Sequence, residues 1–360
     1  MKLASAEVIP YALPFRKPYV TARGVLTQRE MVLLRLRDDE GVVGLGEAVP
    51  LSLRGGVTLE TVVRELEEVC ASEALSDFFA RGQLEVFSVG ELDPRLVLSA
   101  PARCAVMTAV MDIFDKVAGA AWVGGSGIPC NATLVAGEPA AVAEDALGWA
   151  RDGFSTFKLK LGTAQDVEQV RAVREAVGPE AKIRVDANGV WSLQAATDLL
   201  SKLETFDIEM AEQPVATIEE AAQLSSRTSI PLAGDESIAS RGDAERAVEL
   251  EAFQLAGIKV SKVGGYFPGM EIGETLPSHV SSALDGPVGI AAGASLARSL
   301  CGEDFRYPLP PRAHGLATQR LFAATIAAVE CELRDGMIHP PPGPGLGVEI
   351  DEAALEAHRL

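Results

Sequence analysis

Six charged residues follow short apolar runs at a regular interval along the middle of the chain. In order, they are Lys158, Lys160, Asp186, Glu212, Asp235 and Lys259. Counted from Lys160 onward, the successive intervals are 26, 26, 23 and 24 residues. Each interval has the length of one strand and one helix, so the spacing predicts an ionic group at the same end of each of five successive parallel strands. A lone charge at a strand end is usually only solvated, whereas a shared period favours a functional site.

The types of these residues indicate a metal site with acid–base lysines. Three carboxylates in one barrel mouth would raise each other's pKa unless a cation lies between them. Oxygen ligands without histidine or cysteine fit a hard divalent ion, Mg²⁺ first, with Mn²⁺ as a substitute. We therefore expect Asp186, Glu212 and Asp235 to bind Mg²⁺. A nearby cation and partial burial lower the pKa of a lysine, so the flanking lysines are candidates for the acid and the base.

Three further residues lie next to this series in the sequence. Arg184 is two positions before Asp186 and so points to the same side of its strand. A supporting role in the site and a packing role inside a barrel are both open for it. Asn188 and Glu236 are adjacent to predicted ligands, and we expect them to hydrogen-bond to the ligands from behind.

The apolar pattern predicts an α/β chain in two parts. The first part reads as α+β, with strands at 8–13, 31–36 and 42–45 and helices at 58–70 and 102–117. From residue 129 short apolar runs alternate with amphipathic helices, which predicts parallel strands covered by helices. These strands are predicted at 131–135, 156–161, 182–185, 208–211, 232–234, 254–260 and 280–284. Seven or eight such units favour a closed barrel over an open sheet.

Glycines near residue 125 mark the boundary between the two parts, and a turn-rich segment follows the barrel pattern. The predicted domains are therefore a capping domain at 1–125, a barrel at 126–325 and a tail at 326–360 that returns to the capping domain. Residues 16–24 and 51–57 are predicted to form loops over the barrel mouth.

Composition and charge argue against several other functions. The net charge of −19 would repel nucleic acid and anionic membranes, so neither is expected as a partner. Five dispersed cysteines without a CxxC pair fit a reducing compartment, and four histidines without HExxH spacing give little support to zinc. The first residues lack the features of a signal peptide, and glycine, proline and asparagine interrupt the longest charge-free run, 117–137. We expect a cytoplasmic protein acting on a small-molecule carboxylate, with a homo-oligomer left open.

Five segments of the central series resemble the muconate-lactonizing-enzyme branch of the enolase superfamily. They are Lys158-Leu159-Lys160, Asp186-Ala187-Asn188, Glu212-Gln213-Pro214, Asp235-Glu236-Ser237 and residues 258–265, IKVSKVGG. Residues 44–48, GLGEA, and the terminal GPGLGVEID also resemble that family. The resemblance implies an α/β fold in which a (β/α)7β, TIM-like barrel carries an α+β capping domain, formed by the N-terminus and the C-terminal tail.

The same resemblance implies the roles of the site residues. The three carboxylates become the Mg²⁺ ligands, and Lys160 and Lys259 become the acid and base, in keeping with the Lys-and-Mg²⁺ chemistry of this superfamily. Lys160 then removes the proton next to a substrate carboxylate, while Mg²⁺ offsets the negative charge that develops there. Lys158, two residues earlier on the same strand face, assists the carboxylate and lowers the pKa of Lys160.

Within that superfamily the lysine on the sixth strand argues against a mandelate-racemase-type site, which has an Asp there and a His on strand seven. Two-lysine sites are typical of o-succinylbenzoate synthases, dipeptide epimerases and N-acylamino acid racemases, with cycloisomerases more distant. Residues 281–290 resemble the Ser-Ser-x-x-Glu stretch of the synthases, with Asp285 in place of the Glu. The resemblance therefore implies substrate binding by Ser281, Ser282 and Asp285.

The region of the eighth strand points the same way. Dipeptide epimerases usually carry an Asp-x-Asp there, which holds the substrate ammonium, but residues 307–321 contain no acidic side chain. The resemblance thus favours dehydration of 2-succinyl-6-hydroxy-2,4-cyclohexadiene-1-carboxylate to o-succinylbenzoate, a step towards menaquinone. The alternatives are a dipeptide epimerase or N-acylamino acid racemase and, more remotely, a non-catalytic metal-binding barrel.

Overall fold

The structure, a computed structural model, describes residues 1–21, 24–50, 56–81, 98–121, 127–301 and 312–360. The predicted domain boundary at residue 125 lies outside the described residues. So do residues 22–23 and 51–55 of the predicted capping loops, and residues 307–311 of the segment near the eighth strand. Across the described ranges, no helix is long and apolar enough to cross a membrane.

The chain begins with an antiparallel sheet of three strands. They are β1 (Leu3–Thr21), β2 (Gly24–Asp38) and β3 (Val43–Ala48), in that spatial order. The first strand is 19 residues long and extends beyond the predicted segment at both ends. It lies at the sheet edge, where Pro10 is tolerated because a proline has no N–H to donate to a second neighbour. A turn follows β2, in which Asp38 Oδ1 accepts from Val42 N at 2.8 Å.

Helices α1 (Leu59–Cys70), α2 (Glu73–Arg81) and α3 (Ala100–Ala118) accompany this sheet. Thr58 caps α1 by accepting from Thr61 N at 3.2 Å, while α2 was not predicted. The glycines of the GLGEA segment bring α3 against β3. A Cβ on Gly44 would lie 2.1 Å from Ala109 O, and one on Gly46 would lie 1.9 Å from Ala105 O. Only glycine permits so close an approach of helix and strand.

A curled parallel sheet forms the second part of the chain. After the short strand β4 (Ile128–Pro129), its strands are β5 (Ala132–Leu134), β6 (Thr156–Lys160), β7 (Lys182–Asp186), β8 (Ile208–Glu212), β9 (Leu232–Gly234), β10 (Leu255–Ile258) and β11 (Ser278–Val280). The intervening helices are α4 (Pro139–Arg151), α5 (Asp166–Val177), α6 (Leu193–Leu203), α7 (Ile218–Ser225), α8 (Arg241–Glu249), α9 (Val260–Val263), α10 (Tyr266–Thr275) and α11 (Pro287–Leu300). The seven strands β5–β11 are neighbours in chain order.

Two residues close this sheet into a barrel. His314 forms a parallel bridge with Cys130 on one side, and Gly315 forms one with Ser281 on the other. They take the place of an eighth strand, so the predicted (β/α)7β barrel with its antiparallel cap is confirmed. At the start of α7, Thr217 and Glu220 form a capping box.

The seventh predicted strand, 280–284, was placed too late in the sequence. In the structure β11 ends at Val280, and a tight turn follows. Asp285 Oδ2 accepts from Ser282 Oγ and from Ala283 N, both at 2.7 Å, and Leu284 has a φ of +66°. These hydrogen bonds turn the chain after Val280, so that residues 281–284 do not continue the strand.

The tail contacts both parts of the chain. Its elements are β12 (Ala327–Val329), β13 (Glu332–Arg334), β14 (Met337–His339), β15 (Glu349–Ile350) and α12 (Glu352–His358). The β13–β14 hairpin pairs with β4, at the amino-terminal end of the barrel. Further on, Leu346 N donates to Asp112 Oδ1 of α3 at 2.7 Å, and Leu360 N donates to Pro10 O of β1 at 3.0 Å.

A buried glutamate joins the first sheet to the barrel. Glu47 Oε1, on β3, accepts from Gly286 N at 2.6 Å, and its Oε2 lies 2.9 Å from the Tyr11 hydroxyl. That hydroxyl is in turn 3.6 Å from Met31 Sδ. Burial, together with the charge of Asp285, raises the pKa of the Glu47 carboxyl to about 8, despite the hydrogen bonds from Tyr11 and Gly286. A protonated Glu47 can donate to Tyr11, which then donates to Met31.

The wild-type protein is expected to lose stability as the pH rises, because Glu47 must then give up its proton. Glu47→Gln is expected to abolish this pH-dependent loss. The carboxyl keeps its proton up to about pH 8 in the folded protein, against an ordinary pKa of 4.5. Its contribution to folding is therefore complete below pH 4.5 and is lost as the pH rises through 8, by up to about 1.4 kcal/mol per pH unit. Denaturant unfolding at several pH values should show the glutamine variant gaining on the wild type as pH rises.

The matched control is Glu30→Gln, which makes the same charge change at an exposed position on β2. Its stability relative to the wild type should not drift with pH in this way. A Glu47→Gln variant whose stability difference from the wild type stays constant from acid to alkaline pH would contradict the assignment of a protonated Glu47.

Candidate active site

The barrel strands carry the predicted ionic residues to one rim. Lys160, Asp186 and Glu212 end the adjacent strands β6, β7 and β8 and are paired in register with one another. Asp235 and Lys259 come directly after β9 and β10. All of these side chains are buried. The regular interval in the sequence therefore corresponds to the carboxyl ends of five successive strands.

Two lysines and two carboxylates form one connected group on this rim. Lys158 Nζ donates to Glu212 Oε1 at 2.5 Å and lies 2.9 Å from Asp186 Oδ2. Lys160 Nζ donates to the same Asp186 oxygen at 2.5 Å and to Asn188 Oδ1 at 3.2 Å. The Asp186 carboxylate thus bridges the two lysines of β6.

Asp235 is the centre of a second group, which includes a lysine that the sequence reasoning missed. Lys259 Nζ pairs with Asp235 Oδ2. Lys262 Nζ lies 2.9 Å from Asp235 Oδ1 and also donates to the Asp235 carbonyl. Lys262 is on the short helix α9, which turns its side chain back towards the rim. The signal was present in the sequence, since Lys262 is three residues after Lys259 and so one helical turn away.

Burial and charge fix the protonation of Lys158 and Glu212. Burial alone would lower the pKa of Lys158, but the charges of Asp186 and Glu212 raise it above its ordinary value. Burial alone would raise the pKa of Glu212, but the Lys158 ammonium holds it well below its usual range. Lys158 therefore keeps its positive charge here. The sequence led us to expect a lowered lysine pKa, but the pKa of Lys158 is raised because carboxylates surround the ammonium group.

His279 is a second residue that the sequence reasoning missed. It is on β11 inside the barrel, and its Nε2 lies 3.3 Å from Glu212 Oε2 without forming a hydrogen bond. Burial lowers the pKa of His279, with Glu212 acting against burial, so the imidazole is neutral. A lone histidine without a ligand spacing gave no signal in the sequence.

The donor set fits a hard divalent cation. Glu212 Oε2 is buried and has no hydrogen-bond partner among the described residues, and a buried carboxylate oxygen in that position calls for a cation or a donor. The acidic side chains on the rim offer only oxygen, the ligand type that Mg²⁺ prefers. Across the described ranges, no three acidic, histidine or cysteine side chains already stand together as a metal cluster. The Lys158 ammonium lies between Asp186 and Glu212.

Of the predicted supporting residues, Asn188 contacts a predicted ligand, Glu236 bonds to Asn188, and Arg184 points elsewhere. Asn188 N donates to Asp186 Oδ1, and its Nδ2 donates to Glu236 Oε1, both at 3.0 Å. Arg184 instead points into the barrel, where its Nε donates to Glu209 Oε2 at 2.5 Å and its Nη1 donates to Ala313 O at 2.7 Å. Of the two roles left open for Arg184, these contacts match packing inside the barrel.

The predicted substrate-binding residues are buried in the turn after β11. Asp285 Oδ1 accepts from Ser261 Oγ at 3.1 Å, and Ser282 Oγ accepts from Thr318 Oγ1 at 2.8 Å. Ser281 pairs with Gly315 where the barrel closes. These contacts tie the turn to α9 and to the segment after the eighth strand. Substrate binding by these three residues stays a prediction.

Two family models together match most of the chain. The model described as the mandelate racemase / muconate lactonizing enzyme N-terminal domain matches residues 4–123. The model described as enolase C-terminal domain-like matches residues 141–354. The first match covers the antiparallel sheet and its helices, and the second covers the barrel from α4 onward.

Similar proteins with known activities include a synthase, a racemase and an epimerase. An o-succinylbenzoate synthase from Thermobifida fusca is 38% identical over 206 residues, which are 55% of this chain and 62% of that protein. The match therefore spans less than two thirds of the synthase. An N-succinyl-L-Arg/Lys racemase from Bacillus cereus is 27% identical over 99% of this chain and 97% of its own length. An L-Ala-D/L-Glu epimerase from Bacillus subtilis is 28% identical, with 86% and 89% covered.

The crystal structure of the Bacillus cereus racemase has the same fold. It superimposes with a TM-score of 0.88 at 25% sequence identity, covering 100% of this chain and 98% of that one. The rim of charged residues is thus carried by an architecture that the two proteins share from end to end.

Proposed function

Because the chain belongs to the enolase superfamily, in its mandelate racemase / muconate lactonizing enzyme family, we propose that it removes a proton next to a substrate carboxylate with the help of Mg²⁺. Asp186, Glu212 and Asp235 would hold the cation, and Glu212 Oε2 is a buried oxygen of this set that makes no hydrogen bond in the described chain. The cation supplies positive charge against the negative charge that builds up on the substrate carboxylate as the proton leaves.

Lys160 is the proposed base, and Lys158 the fixed charge beside it. Lys160 Nζ is held at the rim by Asp186 and Asn188, within reach of a substrate bound in the barrel mouth. Lys158 keeps its proton because Asp186 and Glu212 raise its pKa, so it serves as a cation for the substrate carboxylate. Lys259 follows the sixth of eight strands and Lys160 ends the second, so the two lie on opposite sides of the barrel.

The specific reaction proposed is dehydration of 2-succinyl-6-hydroxy-2,4-cyclohexadiene-1-carboxylate to o-succinylbenzoate. Lys160 takes the ring proton from the carbon that bears the carboxylate. The bond between the neighbouring carbon and its hydroxyl then breaks, and the Lys160 ammonium returns the proton to that hydroxyl, so water leaves and the ring becomes aromatic. Lys259 stays protonated and stabilises the planar, electron-rich ring by a cation–π contact.

One observation carries the choice of a dehydration. Residues 316–321, which follow the eighth strand at the carboxyl end of the barrel, contain no acidic side chain. A dipeptide substrate has an ammonium group, which needs an anion when it is bound out of water. The cyclohexadiene substrate has no ammonium and needs none. The 38% identity to a synthase supports the same choice.

A second candidate is racemisation or epimerisation, in which Lys160 and Lys259 act on opposite faces of one carbon. The end-to-end match with an N-succinyl-L-Arg/Lys racemase favours it, since an N-succinyl amino acid also has no α-ammonium group. A non-catalytic barrel is a remote third candidate, because such a barrel is not expected to keep every predicted ligand and lysine.

A direct assay separates the candidates. Purified protein with Mg²⁺ is incubated with the cyclohexadiene carboxylate, with N-succinyl-L-arginine and with L-Ala-L-Glu, and product is followed by absorbance or by optical rotation. We expect turnover of the first substrate to be the most efficient. Efficient racemisation of N-succinyl-L-arginine or epimerisation of L-Ala-L-Glu, without turnover of the cyclohexadiene carboxylate, would overturn the proposed reaction while leaving proton abstraction in place.

A further inference from the structure

Gln213 is a buried residue with an unusual backbone conformation, directly after Glu212 at the end of β8. It has no exposed surface, and its φ is +39°. Residues other than glycine seldom occupy this left-handed region, and those that do are held there by their surroundings, often at functional sites. Both the side chain and the main chain of Gln213 are fully engaged in such contacts.

The side-chain amide of Gln213 reaches across to the end of β9. Its Oε1 accepts from Asp235 N at 2.7 Å, from Ser237 N at 3.2 Å and from Ser237 Oγ at 3.0 Å. Its Nε2 donates to Val215 O at 2.8 Å. The amide has one correct orientation, because a flipped amide would direct its NH₂ group at three donors.

The main chain of Gln213 makes the remaining connections. Its N donates to Ala233 O at 2.8 Å, and its O accepts from Gly189 N at 2.7 Å. Ala233 is two residues before Asp235, and Gly189 is three residues after Asp186. Gln213 is adjacent to Glu212 in the chain, and its main chain bonds to the segments that carry the other two predicted ligands, Asp186 and Asp235.

We propose that Gln213 is a positioning residue that sets the relative places of the three carboxylates for a divalent cation. The inference rests on the proposed function, because the cation is the one proposed there. Mg²⁺ demands nearly ideal octahedral geometry, so its affinity depends on how firmly the ligand backbones are held. Gln213 acts through the backbone of Asp235 and through the strand ends that it joins.

The test is Gln213→Met in the full chain. Methionine keeps the length and much of the volume of glutamine but makes none of the four side-chain hydrogen bonds. Titration calorimetry with Mg²⁺ alone, and electron paramagnetic resonance with Mn²⁺ alone, should show about 10–100-fold weaker binding. In activity assays the Mg²⁺ concentration for half-maximal rate should rise by the same factor, while the rate at saturating Mg²⁺ falls much less.

A matched control is Gln254→Met. Gln254 is an exposed glutamine whose Oε1 accepts from Leu232 N at 2.8 Å, at the opposite end of the same strand β9. The Gln254→Met substitution removes an equivalent hydrogen bond between a glutamine side chain and the backbone of β9, but at the end of the strand far from the rim. Mg²⁺ affinity in this variant should equal that of the wild type.

A milder variant, Ser237→Ala, removes one of the three donors to Gln213 and keeps the amide in place. Its Mg²⁺ affinity should fall by about two- to fivefold, and this holds as a test even if Gln213→Met does not fold. Wild-type affinity in Ser237→Ala and in folded Gln213→Met would overturn the positioning role alone. A wild-type chain that binds neither Mg²⁺ nor Mn²⁺ would overturn the proposed function, and this inference with it.

Discussion

Lys160→Ala is expected to abolish turnover of the cyclohexadiene carboxylate, and equally any racemisation or epimerisation. Each of these reactions begins with removal of the proton next to a carboxylate, and a positioned general base contributes about 10²–10⁴-fold to that step. Lys158 on the same strand is a poor replacement, because the charges of Asp186 and Glu212 raise its pKa. Steady-state rates and exchange of the substrate proton with D₂O should fall together.

The matched control is Lys182→Ala. Lys182 begins the next strand, β7, at the opposite end of the barrel, where it is exposed and lies 3.4 Å from Glu209 Oε1. Its loss should leave both rates near the wild-type values. Proton exchange at the wild-type rate in Lys160→Ala, with cation binding intact, would show that another group is the base.

Lys259→Arg distinguishes the dehydration from racemisation within the same experiment. Arginine keeps the positive charge but is a poor proton donor and acceptor. A dehydration that needs only the charge of Lys259 should retain some rate, whereas a racemisation that needs proton transfer on both faces should stop. Equal loss of rate in Lys259→Arg and Lys259→Ala would contradict a purely electrostatic role for Lys259.

Glu212→Gln is the second change with a large expected effect. The substitution keeps the side-chain shape and an oxygen that can accept from Lys158, but it removes the charge of the ligand. Two carboxylates bind a reluctantly dehydrating ion poorly, so Mg²⁺ affinity should fall by more than about 100-fold. Calorimetric titration with Mg²⁺ should measure the loss of binding, and activity at ordinary Mg²⁺ concentrations should be nearly absent.

An exposed glutamate gives the control for this loss. Glu219→Gln, on α7, changes the charge of the chain by the same amount and should leave Mg²⁺ binding unchanged. Excess chelator should reproduce the Glu212→Gln phenotype in the wild-type protein, and added Mg²⁺ or Mn²⁺ should reverse it. Full activity in excess chelator would rule out the metal site.

The rim of the barrel could be predicted from the sequence because charges interrupt apolar strands there at a fixed period. The ends of β6 to β9 follow directly from that interruption, and the predicted strand 232–234 has the same bounds as β9. The turn after β11 could not be predicted in the same way. Its course depends on Asp285 accepting from Ser282 and Ala283, and the apolar pattern of 280–284 does not record such a contact.

Two other features depend on contacts between distant segments. His314 and Gly315 act as the eighth strand, but two residues are too few for a periodic signal, and their pairing follows only from closure of the barrel. Gln213 carries no charge and fits no ligand pattern, so only its bonds to Asp235, Ser237 and Val215 identify its importance. The charged groups that end these strands are visible in the sequence, whereas the bonds by which Gln213 joins two of the strand ends are visible only in the structure.

Closure of the barrel by His314 and Gly315 has a consequence for the synthesis of the protein. Until these residues have left the ribosome, a nascent chain can hold β5 to β11 only as a sheet with two open edges. The outer edge of β1 is likewise uncovered until two residues of the tail reach it. Arg359 forms a β-bridge with this strand, and Leu360 forms a hydrogen bond to it. Unpaired sheet edges template association with other chains. A nascent chain that lacks these later segments therefore exposes sheet edges that the folded protein covers.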